Sequence, residues 1–309
     1  MIQFSIRQLE YFVAVARHGG TLQAARALSV SQPSISHAIR ELESGWAVSL
    51  FVRRHARGLQ LTAEGEQRFR QALRLLREAH SLEQRTEQGI RGDLAVGCFD
   101  TLGPLVFPGL MKAFQRHYPD VRLRPREGHI ADLLDQVADG ALELALVYDT
   151  SLAGGRIRLH DVGASPPYAV LPAGHPLALR PDVSVADLAR HPFVLINQPH
   201  SREYFLSLFS HAGARPRVAA EVRSFEMVRA LVANGHGVSI LVTRPAGDLA
   251  YDGSPLACRP LRDAPPPQKI VLASAADLPL GLVAQAFLDL ARDYLAGRGL
   301  GQGLEQSPG

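Results

Sequence analysis

Residues 4–62 read FSIRQLEYFVAVARHGGTLQAARALSVSQPSISHAIRELESGWAVSLFVRRHARGLQLT, and their spacing decides the first domain. Leu9, Phe12, Val13 and Ala16 recur at i, i+3, i+4 and i+7, which predicts an amphipathic helix. A second helix is expected over Leu22–Leu28, with small Ala24 and Ala25 where another helix must come close and Thr21 able to cap it. Val30-Ser31-Gln32-Pro33 then turns the chain into a third helix, with Pro33 suited to the first turn. On that helix Ile35, Ile39 and Leu42 face inward, leaving Gln32, Ser34, Ser36, His37 and Arg40 outward. Amides read adenine, guanidinium reads guanine or phosphate, and hydroxyls serve either. Leu50-Phe51 and Leu59 to Leu61 flank Val52 to Gly58, a two-stranded wing whose basic tip carries Arg53, Arg54 and Arg57. A recognition helix in the major groove beside a wing on the backbone is a known docking mode. The reading assigns DNA contact to Thr21, Gln32, Pro33, Ser34, Ser36, His37, Arg40, Arg53, Arg54 and Arg57.

Leu9-Glu10-Tyr11-Phe12, Ala24-Ala25, Ser31 to Ser36, Leu42-Glu43, Leu50-Phe51 and Leu61 to Gly65 together resemble the LysR-type transcriptional regulators. Two departures stand out. Trp46-Ala47-Val48-Ser49 occupies the place where that family usually carries Leu-Gly-Val-Pro, so Gly45 is expected to end the third helix. Gly20-Thr21-Leu22 stands where Ser-Phe-Thr or similar is common.

The charge is uneven. Residues 1–60 hold seven Arg and three Glu, a net of +4, whereas the whole chain of 309 residues carries +3. A basic head on a near-neutral body is the footprint of phosphate binding. The apolar fraction of 46% suits globular cores. With no long apolar run and no charged leader with a cleavage site at the N-terminus, a cytoplasmic location is expected. Two cysteines, Cys98 and Cys258, exclude a disulfide scaffold and a four-cysteine zinc site, and read as small apolar residues, with a redox switch as the alternative.

Beyond the head, Phe69, Ala72, Leu73, Leu76, Ala79 and Leu82 form a narrow apolar stripe on a helix predicted to reach about Gln88. Such a stripe needs a partner, and the same helix of a second subunit is the expected one. The alternative is packing on its own domain. A two-fold dimer would set two recognition helices on two half-sites. Gly89 and Gly92 mark a hinge.

From Asp93 strands and helices alternate: Leu94 to Phe99, Pro104 to Tyr118, Val121 to Pro125, Ala131 to Ala138 and Leu142 to Tyr148. That pattern argues a mostly parallel sheet. Residues 164–172 cross into a second lobe holding Phe193 to Ile196, helices from Ser201 and Phe225, and Val238 to Val242; Pro265 to Pro267 mark the return. The body therefore resembles the type-2 periplasmic-binding-protein fold of LysR-type effector domains, carried by Phe114 to Pro119, Leu142 to Leu146, Leu171 to Leu177 and Leu231 to Val238. The fold class is a two-lobed α/β effector domain behind an N-terminal all-α winged helix-turn-helix domain and a long linker helix. The divisions are 4–62 for the head (helix-turn-helix about 21–40), 63–89 for the linker and 92–300 for the effector domain. Lobe 1 takes about 92–164 and 268–297, lobe 2 about 165–267.

Ligands of open α/β sheets sit at the carboxyl ends of strands and at helix N-termini. Asp100 and Thr101 follow the first strand, Ser201 and Arg202 open a helix in the second lobe, and Phe225 opens another; these five are the effector-site candidates. Ser201 with Arg202 could clamp a carboxylate, so a small organic acid is the preferred co-inducer; Asp100 argues the other way by repelling an anion. Thr101 and Ser201 could equally serve as helix caps. No cofactor, metal or catalytic residue is expected: GK[ST], G-x-S-x-G, HExxH and paired CxxC are all absent, and His175, His191 and His200 sit beside prolines in loops. The competing classes are an enzyme, a solute-binding protein and an effector-independent DNA binder. The preferred reading is a homodimeric or homotetrameric bacterial regulator of promoter DNA, with RNA polymerase as a further partner.

Overall fold

The computed structural model describes residues 3–54, 58–86, 89–149, 155–199 and 201–298. Among them no helix is long and apolar enough to cross a membrane.

Three helices build the head: α1 (Ile6–His18), α2 (Thr21–Leu28) and α3 (Gln32–Trp46). Ser5 and Gln8 form a reciprocal capping box that starts α1. Leu9, Phe12 and Val13 of α1, three of the four periodic residues, share a core with Ala24, Ala25, Ile35, Ile39 and Leu42; Ala16 is half-buried, while Val15, outside the expected stripe, is buried. The wing follows as antiparallel β1 (Phe51–Arg54) and β2 (Gly58–Leu61). Its return strand is tied to the end of α1 by Leu59 N–H donating to Gly19 O at 2.9 Å. A Cβ on Gly58, at φ 71°, would stand 2.5 Å from that same carbonyl, so only glycine allows the approach.

Two expected helix boundaries are corrected. Gly45 lies inside α3; the left-handed cap is Ala47 at φ 54°, ψ 38°, whose N–H reaches Ser44 O while Val48 N–H reaches Glu43 O. The helix continues because Trp46 anchors its last turn, edge-on to Phe4 (5.7 Å) and Phe12 (6.4 Å) with Arg68 over its ring. Thr21 does not cap α2: Gly20 holds the cap position without a side-chain bond, and Thr21 is the first helical residue.

The linker α4 (Ala63–Gln84) stops short of residue 88 and passes into a small hairpin of β3 (Arg85–Thr86) and β4 (Gly89–Ile90). The first half of its apolar stripe, Phe69, Ala72, Leu73 and Leu76, is buried within its own chain, whereas Ala79 is half-buried and Leu82 exposed. Phe69 stacks edge-on to Phe12 at 6.3 Å, and Leu73 lies so close to Gly140 that an added Cβ there would be 2.9 Å away. Arg74 Nε donates to Asp277 O and Arg77 Nη1 to Pro279 O, both at 3.1 Å. Arg17 of α1 reaches Gly140 O. Head, linker and first lobe thus pack together. Leu75 and Leu82 remain exposed on the outer side of α4.

The first lobe contains β5 (Gly92–Phe99), α5 (Gly103–His117), β6 (Val121–Gly128), α6 (Ile130–Ala138), β7 (Leu144–Tyr148) and β8 (Ile157–Ser165). The second contains β9 (Tyr168–Pro172), α7 (Val185–Ala189), β10 (Pro192–Ile196), α8 (Ser201–His211), β11 (Arg217–Val222), α9 (Phe225–Ala233), β12 (Ser239–Leu241) and β13 (Leu256–Pro260). The chain then returns through β14 (Gln268–Ala275) and α10 (Leu282–Arg298). Lobe 1 is a five-stranded sheet ordered β6-β5-β7-β14-β8. Its β5, β6 and β7 are parallel, but β14 runs antiparallel to both neighbours, so the sheet is mixed. Lobe 2 sets an antiparallel β12-β9-β13 ribbon beside the parallel pair β10-β11.

Candidate nucleic-acid interface and effector crevice

The first turn of α3 is set by Ser31, whose Oγ accepts from Ser34 N–H, and by Pro33. Burial of Ile35, Ala38, Ile39 and Leu42 fixes the rotation of the helix, which turns Gln32, Pro33, Ser34, His37 and Arg40 to solvent and leaves Ser36 half-buried. Gln32 Nε2 donates to Thr21 Oγ1 at 3.2 Å, so Thr21 steadies the amide from α2. Arg40 Nε donates to Ser36 O. His37 pairs with Glu41 at 3.2 Å, which places a carboxylate on the same surface, and Glu41 also accepts from Gln8 Nε2 at 2.8 Å. On the wing, Arg53 is exposed and Arg54 ends β1, while Arg57 lies outside the described residues. The positive end of α3, an adaptable amide and flanking guanidinium groups form a surface suited to a DNA groove.

The lobes meet at a crevice built by strand ends. Thr101 follows β5, Tyr148 ends β7, Ile196 ends β10, and Ser201, Tyr204 and Phe205 come from α8. Phe225, Leu241, Val242 and Gln268 close it, leaving about 20 Å³, room for roughly one water. The crossings beneath are pinned by polar bonds: Tyr148 Oη to Thr243 Oγ1 at 2.6 Å, Thr243 N–H to Ser165 Oγ at 2.9 Å and Gln268 Nε2 to Asp149 O at 2.7 Å. Burial pushes the Tyr148 and Tyr204 hydroxyls above their usual range, so both stay protonated donors.

Of the five effector candidates, Thr101, Ser201 and Phe225 line the crevice. Thr101 is not the cap of α5; that position is Leu102, without a side-chain bond, and the threonine hydroxyl meets that of Tyr148 in the crevice wall. Arg202 turns away and pairs with Glu221 at 3.3 Å, where Asn197 Nδ2 also donates. Asp100 stands beside Gln198 of the other lobe and accepts from His129 at 3.2 Å; burial raises its carboxyl above the usual range. Sequence reasoning missed Tyr148 and Ile196, which the strand-end rule would have found, and Leu241, Val242 and Gln268, which carry no local signal. Among the described residues no group of three or more His, Cys, Asp or Glu gathers to hold a metal.

A three-helix head with an exposed third helix and a wing, joined by a helix to a two-lobed α/β body, defines an effector-responsive DNA-binding regulator. Residues 6–66 match the bacterial regulatory helix-turn-helix protein, lysR family, and residues 87–296 match the LysR substrate binding domain. The chain belongs to the LysR family of transcriptional regulators and is not an enzyme. It is 33% identical over 252 residues to the uncharacterized HTH-type transcriptional regulator YnfL of Escherichia coli, an alignment covering 78% of this chain and 82% of that one. It is 32% identical to the E. coli dual regulator OxyR over 77% of this chain and 78% of that one. The crystal structure of HinK, a LysR family regulator from Pseudomonas aeruginosa, superposes with TM-score 0.64 at 36% identity, covering 97% of this chain and 99% of that one.

Proposed function

We propose that this regulator binds an interrupted palindrome near a promoter as a dimer or tetramer in the cytoplasm, and that a small molecule between the lobes changes the spacing of its heads. The observation that carries the reading is the solvent face of α3, where Gln32, Ser34 and Arg40 stand on a helix whose rotation the core fixes. Gln32, with Thr21 behind it, reads bases with Ser34, Ser36 and His37; Arg40, Arg53, Arg54 and Arg57 take phosphates, and Pro33 sets the approach. The working divisions are 4–62, 63–89 and 92–300. Protomers pair through the outer face of α4, where Leu75, Ala79 and Leu82 follow i, i+4, i+7 spacing. RNA polymerase is a further candidate partner at the promoter, whether the regulator activates or represses.

Effector binding acts by differential affinity for two arrangements of the lobes. A small organic acid was attractive for Ser201 with Arg202, but the Arg202 guanidinium is engaged by Glu221. Peroxide, named for some relatives, finds little support: Cys98 and Cys258 are each 2% exposed, and burial raises both thiols, Cys258 to about 12.

A footprint on the DNA upstream of the protein's own gene, at physiological salt with competitor, tests the reading. A two-fold site spanning several turns is expected. Gln32→Ala weakens that site by about 1–3 kcal/mol while sparing random DNA. Arg53→Ala weakens both and flattens the salt slope. Equal losses on both DNAs for Gln32→Ala remove it from base reading.

A further inference from the structure

The crevice carries information about the chemistry of its ligand, granted the proposed reading that the effector binds there. Its walls are apolar: Ile196, Phe205, Phe225 and Leu241 face one another across a gap with room for about one water. No Lys, Arg or His lines it among the described residues. Most of its donors are already spent. Gln268 Nε2 donates to Asp149 O, Tyr204 Oη to Pro266 O at 3.4 Å, and the hydroxyls of Tyr148 and Thr243 bond each other.

Beside Thr101 and Ser201 the balance tips further. Gln198 is 4% exposed, and its Nε2 donates to Arg223 O at 2.7 Å, which fixes the amide so that Oε1 is the atom left over. Gln198 Oε1 has no donor, and neither does the buried Oδ1 of Asp100 next to it. Two buried acceptor oxygens, one from each lobe, are therefore left without a donor, while the Gln198 side chain and nearby backbone N–H groups favour the Asp100 carboxylate from other sides. Orphaned buried acceptors cost free energy that a donor would recover. An anion placed there would meet a carboxyl already paired with His129 and a carbonyl oxygen, with no Lys or Arg lining the crevice, which is unfavourable.

We propose that the crevice takes a small aromatic compound carrying a hydrogen-bond donor and no negative charge, such as an aromatic amine, phenol or benzylic alcohol. Its ring slides between Ile196, Phe205, Phe225 and Leu241, a setting for offset or edge contacts. Its donor bridges Asp100 of lobe 1 and Gln198 of lobe 2. The narrow gap admits a flat ring only if the lobes part, so binding and lobe geometry are coupled.

The test is ligand-observed NMR and calorimetry on the full chain with four one-ring probes: aniline and benzyl alcohol, which donate; anisole, which does not; and benzoate, which is anionic. Aniline or benzyl alcohol should bind about tenfold or more tighter than benzoate and anisole. Gln198→Leu should erase the advantage over anisole, and Phe225→Ala should weaken all binding. Because Gln198→Leu also frees Arg223 O, a fold check by circular dichroism accompanies it, and Thr101→Val gives a second, milder readout at the same end. Preferential benzoate binding that Phe225→Ala abolishes overturns the ligand class while leaving the effector site standing. Binding indifferent to Phe225→Ala, or no binding by any probe at millimolar concentration, overturns the proposal at this crevice. Donor binding that leaves the DNA footprint unchanged supports the ligand class and removes the regulatory reading instead.

Discussion

Ala47→Gly should stabilise the DNA-binding head. Ala47 holds φ 54°, ψ 38° at the end of α3, and its side chain is exposed, so deleting the methyl loses no packing. A left-handed residue with a Cβ costs roughly 1–2 kcal/mol. Glycine returns about 0.4–1 kcal/mol of that through its looser unfolded chain. The net gain is about 0.5–1 kcal/mol, or about 3–6 °C for a domain of this size. Trp46 is the sole tryptophan and is packed between Phe4 and Phe12, so its fluorescence reports the head even in the full chain. The matched control is Gly19→Ala at the end of α1, at φ 68° with nothing within 4 Å of the added Cβ. It should lower the same midpoint by a similar amount. If Ala47→Gly leaves the Trp46 transition in place while Gly19→Ala lowers it, the strain assigned to Ala47 is absent and the account of how Trp46 extends α3 fails.

Three further outcomes are expected. Asp100 has a raised folded-state value, from burial first; its neutral form therefore stabilises the fold below about pH 4, the unfolded value, and that contribution is lost as pH rises through the folded one. Asp100→Asn keeps a neutral donor at every pH, so its thermal midpoint relative to the parent should climb between pH 4 and 7; a constant difference counts against the argument. Cys98 and Cys258, buried and held as thiols, should react with a disulfide reagent only on unfolding, and fast labelling of the native chain would restore a redox reading. Arg229, 1% exposed, pairs with Glu226 at 3.0 Å and donates to Gly247 O and Leu249 O; Arg229→Met should destabilise lobe 2 by about 3–5 kcal/mol while the Trp46 midpoint stays put, and a shift of both together would show one cooperative unit.

The head was legible because its information is local. The i, i+3, i+4 periodicity of Leu9, Phe12 and Val13, the Ser31–Pro33 start signal and the spacing of Ile35, Ile39 and Leu42 each specify a helix and its buried face, and the leftover polar residues form the candidate DNA surface. Thr101, Ser201 and Phe225, picked out from strand ends and helix starts, line the crevice, since those positions leave signatures before the lobes meet. What the chain order could not decide were contacts between distant segments. Trp46 overrides the expected stop at Gly45 because Phe4 and Phe12 await it. Phe69 and Leu73 of the α4 stripe close on their own chain because Phe12 and the Gly140 turn lie within reach. Arg202 leaves the crevice because Glu221 on β11 draws it away. Periodicity assigns a residue to a face; only packing assigns that face a partner, and in the crevice the partners come from opposite lobes.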